Sequence, residues 1–186
     1  MCGIVGYVGA RNACDVLLDG LRRLEYRGYD SAGLAVWTAE GLRIVKEVGK
    51  VAELAAATSA AGLKGCRGIG HTRWATHGGV TQANAHPHAD DRQRFALVHN
   101  GIVENYGELQ EELEKQGAVF ASETDSEVVV QLLARLRGSC DSMHEAMKQL
   151  QSRLRGSFAL AILDGEDPDH FFCVRQGSPL VLGLGK

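Results

Sequence analysis

No run of apolar residues in the chain approaches the ~18–20 that a helix needs to cross a bilayer. The first residues lack the charged and apolar regions of a secretory signal. An excess of positive charge is also missing. The formal net charge is −3, which argues against electrostatic binding to nucleic acid or to an anionic membrane. Arg22, Arg23 and Arg27 do cluster, but Glu25 interrupts them and the group reads as a solvated helix face. Five cysteines, at positions 2, 14, 66, 140 and 173, form no C-x-x-C pair and are odd in number, so neither a disulfide framework nor a structural zinc site is indicated. Repeats, low-complexity segments and linkers are absent. What remains is one globular domain spanning residues 1–186, with ordinary hydrophobic content of 45%, expected in the cytoplasm.

Ile4 to Val8 reads as a short strand, followed by a helix with Asn12 placed to cap it and Leu17, Leu21 and Leu24 on one face. A turn-rich loop from Glu25 to Gly33 leads to strands at Leu34–Trp37 and Leu42–Val48, and residues 51–61 are weakly helical. The stretch 69–88 shows neither helical nor strand periodicity and reads as a site-building loop. Phe95 to His99 reads as a buried strand that stops at Asn100-Gly101. Helices follow from Tyr106 to Lys115, after the capping box Thr124-Asp-Ser-Glu127, and after Ser142-Met-His-Glu145. The last third predicts strands at Phe158–Leu163, Phe171–Arg175 and Leu180–Leu182. Strands in runs, separated by paired helices, imply an α+β fold with mainly antiparallel sheets.

The chemistry begins at Met1-Cys2-Gly3. If Met1 is removed, Cys2 carries a free α-amine as well as a thiol. Their ordinary pKa values, ~7.7–8.0 and ~8.5, both lie close to neutral pH. A single residue then holds a nucleophile and its own general base. Attack on a carbonyl needs donors for the oxyanion, and Asn100-Gly101 offers a side-chain amide and an unobstructed backbone N–H, although Asn-Gly is also a strong hairpin turn. Arg73 suits a carboxylate, and Asp125 suits an ammonium group or, equally, the dipole of its own helix. Together they match the two α-groups of an amino acid. The histidines at 71, 77, 86, 88 and 99 invite a metal reading, but their spacings fit no zinc template.

Several long strings occur in order: Met-Cys2-Gly-Ile-Val-Gly, Leu-Glu-Tyr-Arg27-Gly-Tyr-Asp30-Ser-Ala-Gly, His71-Thr-Arg73-Trp74-Ala-Thr76-His77-Gly, Asn-Ala-His86-Pro-His, His99-Asn100-Gly101-Ile and Ser-Glu-Thr-Asp125. They resemble the glutaminase domains of class II glutamine amidotransferases, and specifically the glucosamine-6-phosphate synthase (glutamine:fructose-6-phosphate amidotransferase) branch. The resemblance runs from residue 2 to about 183. Amidophosphoribosyltransferases are similar in the Cys-Gly-Ile start, in an Arg-Gly-x-Asp-Ser-Ala-Gly loop and in His-Asn-Gly. They lack the His-Thr-Arg-Trp-Ala-Thr-His-Gly string.

The resemblance implies an N-terminal-nucleophile (Ntn) hydrolase fold, a four-layer αββα sandwich of two antiparallel sheets. It implies Cys2 as nucleophile, its freed amine as base, and Asn100 and Gly101 as the oxyanion hole. Arg73, Thr76, His77 and Asp125 are then expected to hold L-glutamine, with Trp74 in a loop that closes over it. Arg27 and His86 are left as supporting or interdomain residues. No metal or cofactor is expected. The sugar-isomerase domains that accept ammonia on fructose 6-phosphate are not in this sequence, which leaves open a piece of a longer enzyme or a free-standing glutaminase. A homodimer of the full-length enzyme is compatible with the resemblance. Three other readings are carried along: the glutaminase domain of a different class II amidotransferase, a catalytically silent glutamine-binding module, and a thiol- or metal-binding protein.

Overall fold

Alternation with a period of two separates the side chains of the strands into three apolar layers. In the computed structural model, which describes residues 2–75 and 78–185, two four-stranded antiparallel sheets lie face to face. The first has the order β1 (Gly3–Val8), β4 (Arg67–Arg73), β2 (Ser31–Thr38), β3 (Gly41–Val48). The second has the order β5 (His88–Ala89), β6 (Phe95–Val103), β7 (Gly156–Asp164), β8 (Phe171–Gln176). Ile69, Ala35, Ala96, Val98, Ala161 and Leu163 pack between the sheets. Ala32, Leu34 and Val36 of β2 point the other way, onto α1 (Ala13–Leu24) and α2 (Val51–Ala60). Phe95, Leu97, Phe158, Leu160 and Ile162 point onto α3 (Tyr106–Lys115), α4 (Asp125–Ser139) and α5 (Met143–Arg153). The result is helices, sheet, sheet, helices.

The same alternation aims the polar residues. Ile69 faces the second sheet, so His71 and Arg73 on β4 do too, and Ile4 carries Cys2 to that side. On β6, Ala96 and Val98 face inward and bring Asn100 with them, while His99 turns toward α4. The inter-sheet layer therefore ends in a polar cluster at one edge.

Four expectations are corrected. The stretch starting at 69 is not all loop, because Arg67–Arg73 is a central strand paired on both sides. Its signal is hidden because Gly68 and Gly70 take the place of apolar residues on the outer face. A Cβ there would lie 2.7 and 3.0 Å from Leu17 and Leu21, so α1 packs directly on the backbone. Asn100-Gly101 is not a strand-ending turn: β6 continues to Val103, with Gly101 at φ +124° and paired to Phe158. A Cβ on Gly101 would sit 2.0 Å from the Ser157 carbonyl oxygen, so the strand holds this shape only with glycine. Leu180–Leu182 forms no strand, since no neighbouring strand bonds to it among the described residues. Asn12 stands at the N-cap of α1 without making the capping bond; its amide bonds to Asp15 and its oxygen accepts from Gly65 N–H. The N-cap half of each predicted capping box forms, with Thr124 accepting from Glu127 N–H at 3.3 Å and Ser142 from Glu145 N–H at 3.1 Å. The glutamates turn elsewhere: the Glu127 carboxylate accepts from Ala121 and Ser122 N–H, and that of Glu145 from the Gln149 amide.

Candidate active site

Five segments meet at the polar edge: the start of β1, the end of β4, the loop before β5 at His86, the second half of β6 and the first turn of α4. Cys2, Arg73, Trp74, His86, His99, Gly101, Thr124, Asp125 and Ser126 line a single cleft there, of about 320 Å³ including its open mouth. The Cys2 sulfur accepts from the Trp74 backbone N–H at 3.2 Å and lies 3.5 Å from the Trp74 carbonyl oxygen. Burial pushes the thiol above its ordinary pKa, against the lowering effects of the Trp74 N–H and the Arg73 charge. At neutral pH the sulfur is therefore protonated.

The loop before β2 holds the end of β4 in place. Asp30 N–H donates to the Arg73 carbonyl at 3.1 Å, and the Asp30 carboxylate accepts from Ala75 N–H at 2.8 Å. Gly28 lets this loop lie against the Arg73–Trp74 backbone, where a Cβ would come within 2.8 Å. The Arg27-Gly-Tyr-Asp30 string is thus a clamp on the site-bearing strand. Arg27 itself is exposed, bonds to Tyr26 and does not line the cleft. Arg73 is 3% exposed and donates to the Gly79 carbonyl at 3.1 Å, and burial lowers its pKa. Trp74 stays 43% exposed at the rim, edge-on to Tyr29 at 5.4 Å. Asn100 sits just behind the cleft, its amide nitrogen 3.4 Å from the Cys2 carbonyl oxygen. Thr76 and His77 lie outside the described residues.

α4 starts with polar side chains that are buried. Thr124, Asp125, Ser126 and Glu127 are each about 5% exposed or less. Asp125 accepts from Val103 N–H at 2.9 Å through one oxygen and from the Ser126 hydroxyl at 3.2 Å through the other. Ser126 in turn takes hydrogen bonds from His86 Nε2 and His99 Nδ1, both at 2.9 Å. One hydroxyl thus ties two rings to one carboxylate, and since its single proton goes to Asp125, both imidazoles are the donors. The histidines stack and bond rather than converge on a metal: His71 and His86 have ring centroids 4.1 Å apart, and His88 pairs with Thr124 at 3.1 Å. No group of three or more ligating side chains is placed to hold a metal ion among the described residues.

A family model described as a glutamine amidotransferase domain matches residues 71–183, more than half of the chain. This chain belongs to the glutamine amidotransferase family. It is 56% identical to a glutamine–fructose-6-phosphate aminotransferase (isomerizing) of Thermus thermophilus and 51% identical to one of Thermococcus kodakarensis, in each case along its whole length. It spans only about 30% of the length of those relatives. A solved glutamine phosphoribosylpyrophosphate amidotransferase from B. subtilis superposes with a TM-score of 0.76 at 28% identity, over 89% of this chain and 35% of that one. A second structure, described as the allosteric regulatory enzyme of purine biosynthesis, gives 0.77 at 31% identity over 88% and 35%. The fold is that of the Ntn-hydrolase amidotransferases, with the two antiparallel sheets and flanking helices expected from the sequence.

The structure brings Cys2, Arg73, Trp74, Gly101 and Asp125 to one cleft, with Asn100 just behind it, and of the shell around them only His86 was expected from the sequence of this amidotransferase. Ser126 was legible only as part of a capping box, and His71 and His99 only as members of a histidine-rich stretch. Burial of a polar run at a helix start is the physical fact that periodicity does not reveal.

The buried imidazoles carry a pH signature. Burial lowers the His71 pKa to about 3 and holds His86 and His88 well below the ordinary value. The unfolded chain, with histidines near ~6.5, binds more protons than the folded one below that pH. Their contribution to stability is thus complete above ~6.5 and is lost progressively as the pH falls toward the folded values. Urea unfolding at pH 7.5, 6 and 5 should show a steady fall in stability. A flat profile over that range would mean the rings are not buried in the neutral form.

Proposed function

We propose that this amidotransferase hydrolyses the side-chain amide of L-glutamine through a γ-glutamyl thioester on Cys2. The supporting observation is that a thiol, a cation and a carboxylate, those of Cys2, Arg73 and Asp125, line one cleft. The Arg73 fork suits the α-carboxylate of the amino acid and Asp125 its ammonium, so the side-chain amide points to the sulfur. Thr76 and His77 follow Arg73 in sequence and complete the binding set; Trp74 at the rim closes over the substrate. The Asn100 amide and the Gly101 N–H stabilise the oxyanion as it forms.

The steps then balance. With Met1 removed, the Cys2 α-amine takes the thiol proton through a water while sulfur attacks the amide carbon of glutamine. The tetrahedral intermediate collapses, the protonated amine returns its proton to the leaving nitrogen, and ammonia departs. Water attacks the thioester and releases glutamate. A base is required because the buried thiol is protonated at neutral pH. Chain, glutamine and water supply every group in these steps. The longer relatives are named glutamine–fructose-6-phosphate aminotransferases, and we assign fructose 6-phosphate as the acceptor of the ammonia released here. Among the described residues no helix is long and apolar enough to cross a membrane, and we place the enzyme in the cytoplasm, where thiols stay reduced.

Asp125→Asn tests the binding mode. Removing one charged hydrogen bond to substrate costs on the order of 1.5–3 kcal/mol, or roughly 10- to 150-fold in kcat/KM. The parent protein should discriminate by a similar factor against the analogue that lacks the α-amine. Equal rates on glutamine and that analogue would remove Asp125 from the substrate site.

A further inference from the structure

His71 Nε2 lies 3.1 Å from the His99 carbonyl oxygen and 3.0 Å from Oδ1 of Asn100. A carbonyl oxygen only accepts, so this ring nitrogen must carry the proton. The Asn100 atom facing it must then be the oxygen, because the opposite amide orientation would set N–H against N–H. The carbonyl fixes the tautomer, the tautomer fixes the amide, and the Asn100 NH₂ is turned away from His71 toward Cys2, whose carbonyl oxygen it meets at 3.4 Å.

We infer that His71 is the positioning residue of the oxyanion hole: its Nε2–H, anchored on the His99 carbonyl, aims the Asn100 amide at the charge that develops beside Cys2. The inference rests on the reading of Asn100 as an oxyanion donor. The surroundings of the ring agree with it. His71 is fully buried on the central strand β4, and its ring is stacked on His86 with a 34° tilt. Its other nitrogen, Nδ1, has no hydrogen-bond partner among the described residues. A buried imidazole with one idle nitrogen adds little to packing that an apolar side chain would not. Its one productive edge is the one turned to Asn100. Burial also keeps the ring neutral across the working pH range, so the donor never becomes a competing positive charge.

Two near-isosteres separate positioning from packing. In His71→Gln the amide nitrogen falls near the place of Nε2 and can still donate. In His71→Asn the amide falls near Nδ1 and cannot reach Asn100. These variants, Asn100→Ala and the double variant His71→Asn/Asn100→Ala are assayed for glutamine hydrolysis with kcat and KM resolved. Asn100→Ala should lower kcat about 10²- to 10³-fold. His71→Asn should lower kcat about 10- to 100-fold with KM within about twofold, the cost of a misdirected group. The double variant should be no slower than Asn100→Ala alone, and His71→Gln should regain most of the rate. Additive losses, equal rates for the Gln and Asn variants, or a loss confined to KM would overturn the inference. An unimpaired Asn100→Ala would instead overturn the oxyanion reading beneath it. A slow Asn100→Ala beside a full-rate His71→Asn would overturn the positioning role alone.

Discussion

Cys2→Ala is expected to abolish glutamine turnover and to leave the unfolding temperature almost unchanged. The two halves have separate physical reasons. The sulfur is half-buried at the edge of the first sheet and hydrogen-bonds to the Trp74 backbone, so its removal opens no cavity in the core. The reaction, however, has no other route through the cleft. Loss of a covalent nucleophile costs on the order of 10⁶-fold in kcat, which leaves nothing measurable above background. The other cysteines provide the control. Cys14 packs inside the α1 cluster near the Leu63 carbonyl, and burial raises the thiol of Cys173 to about 11. Cys66 is exposed, and Cys140 lies at the far end of α4. Alanine at any of these four should keep the rate, with a small stability cost at Cys14. A near-parental rate for Cys2→Ala would remove the thioester mechanism altogether.

The second large effect concerns the nitrogen of the same residue. A protein fraction in which Met1 is retained, or in which the Cys2 amine is acylated, should lose glutamine hydrolysis by about 10²- to 10⁴-fold. An amide nitrogen is not basic, and the thiol it would have to activate is held in its protonated form by burial. Processed and blocked fractions of one preparation, separated and weighed by mass spectrometry, give the comparison directly. Equal rates would mean that another group takes the proton, and the imidazoles beside Ser126 would be the next to examine.

The parts of this molecule that could be read in its sequence are those where local chemistry and tertiary role agree. The apolar runs of β6, β7 and β8, the N-caps of α4 and α5 and the leucine face of α1 all follow their patterns. The runs of β6 and β7 are unbroken because one face meets the helices and the other the first sheet, and the leucines of α1 meet β2. The failures share a cause. β4 carries glycine on the face that α1 covers and site residues on the other, so neither face alternates in the usual way. Asn100-Gly101 has the composition of a hairpin turn, yet its positive φ is absorbed within β6 by pairing with β7. The Leu180–Leu182 segment has the composition of a strand, and composition cannot supply the neighbour that a strand requires. At the site, the charged pair Arg73 and Asp125 could be guessed from what an amino acid needs. Of the shell around them only His86 could be expected, and its partner could not. Ser126, His86 and His99 become partners only when β6 and α4 are brought together in space.

Capture of the covalent intermediate tests the central claim most directly. Processed protein mixed with glutamine, quenched in acid within a turnover and digested, should yield a single modified peptide. It should begin at Cys2, carry the mass of one glutamyl group on sulfur, and lose that mass on treatment with hydroxylamine. Cys14, Cys66, Cys140 and Cys173 should remain unmodified in the same digest. A glutamyl group on any other residue, or turnover at full rate with no adduct on Cys2 at any quench time, would contradict the account.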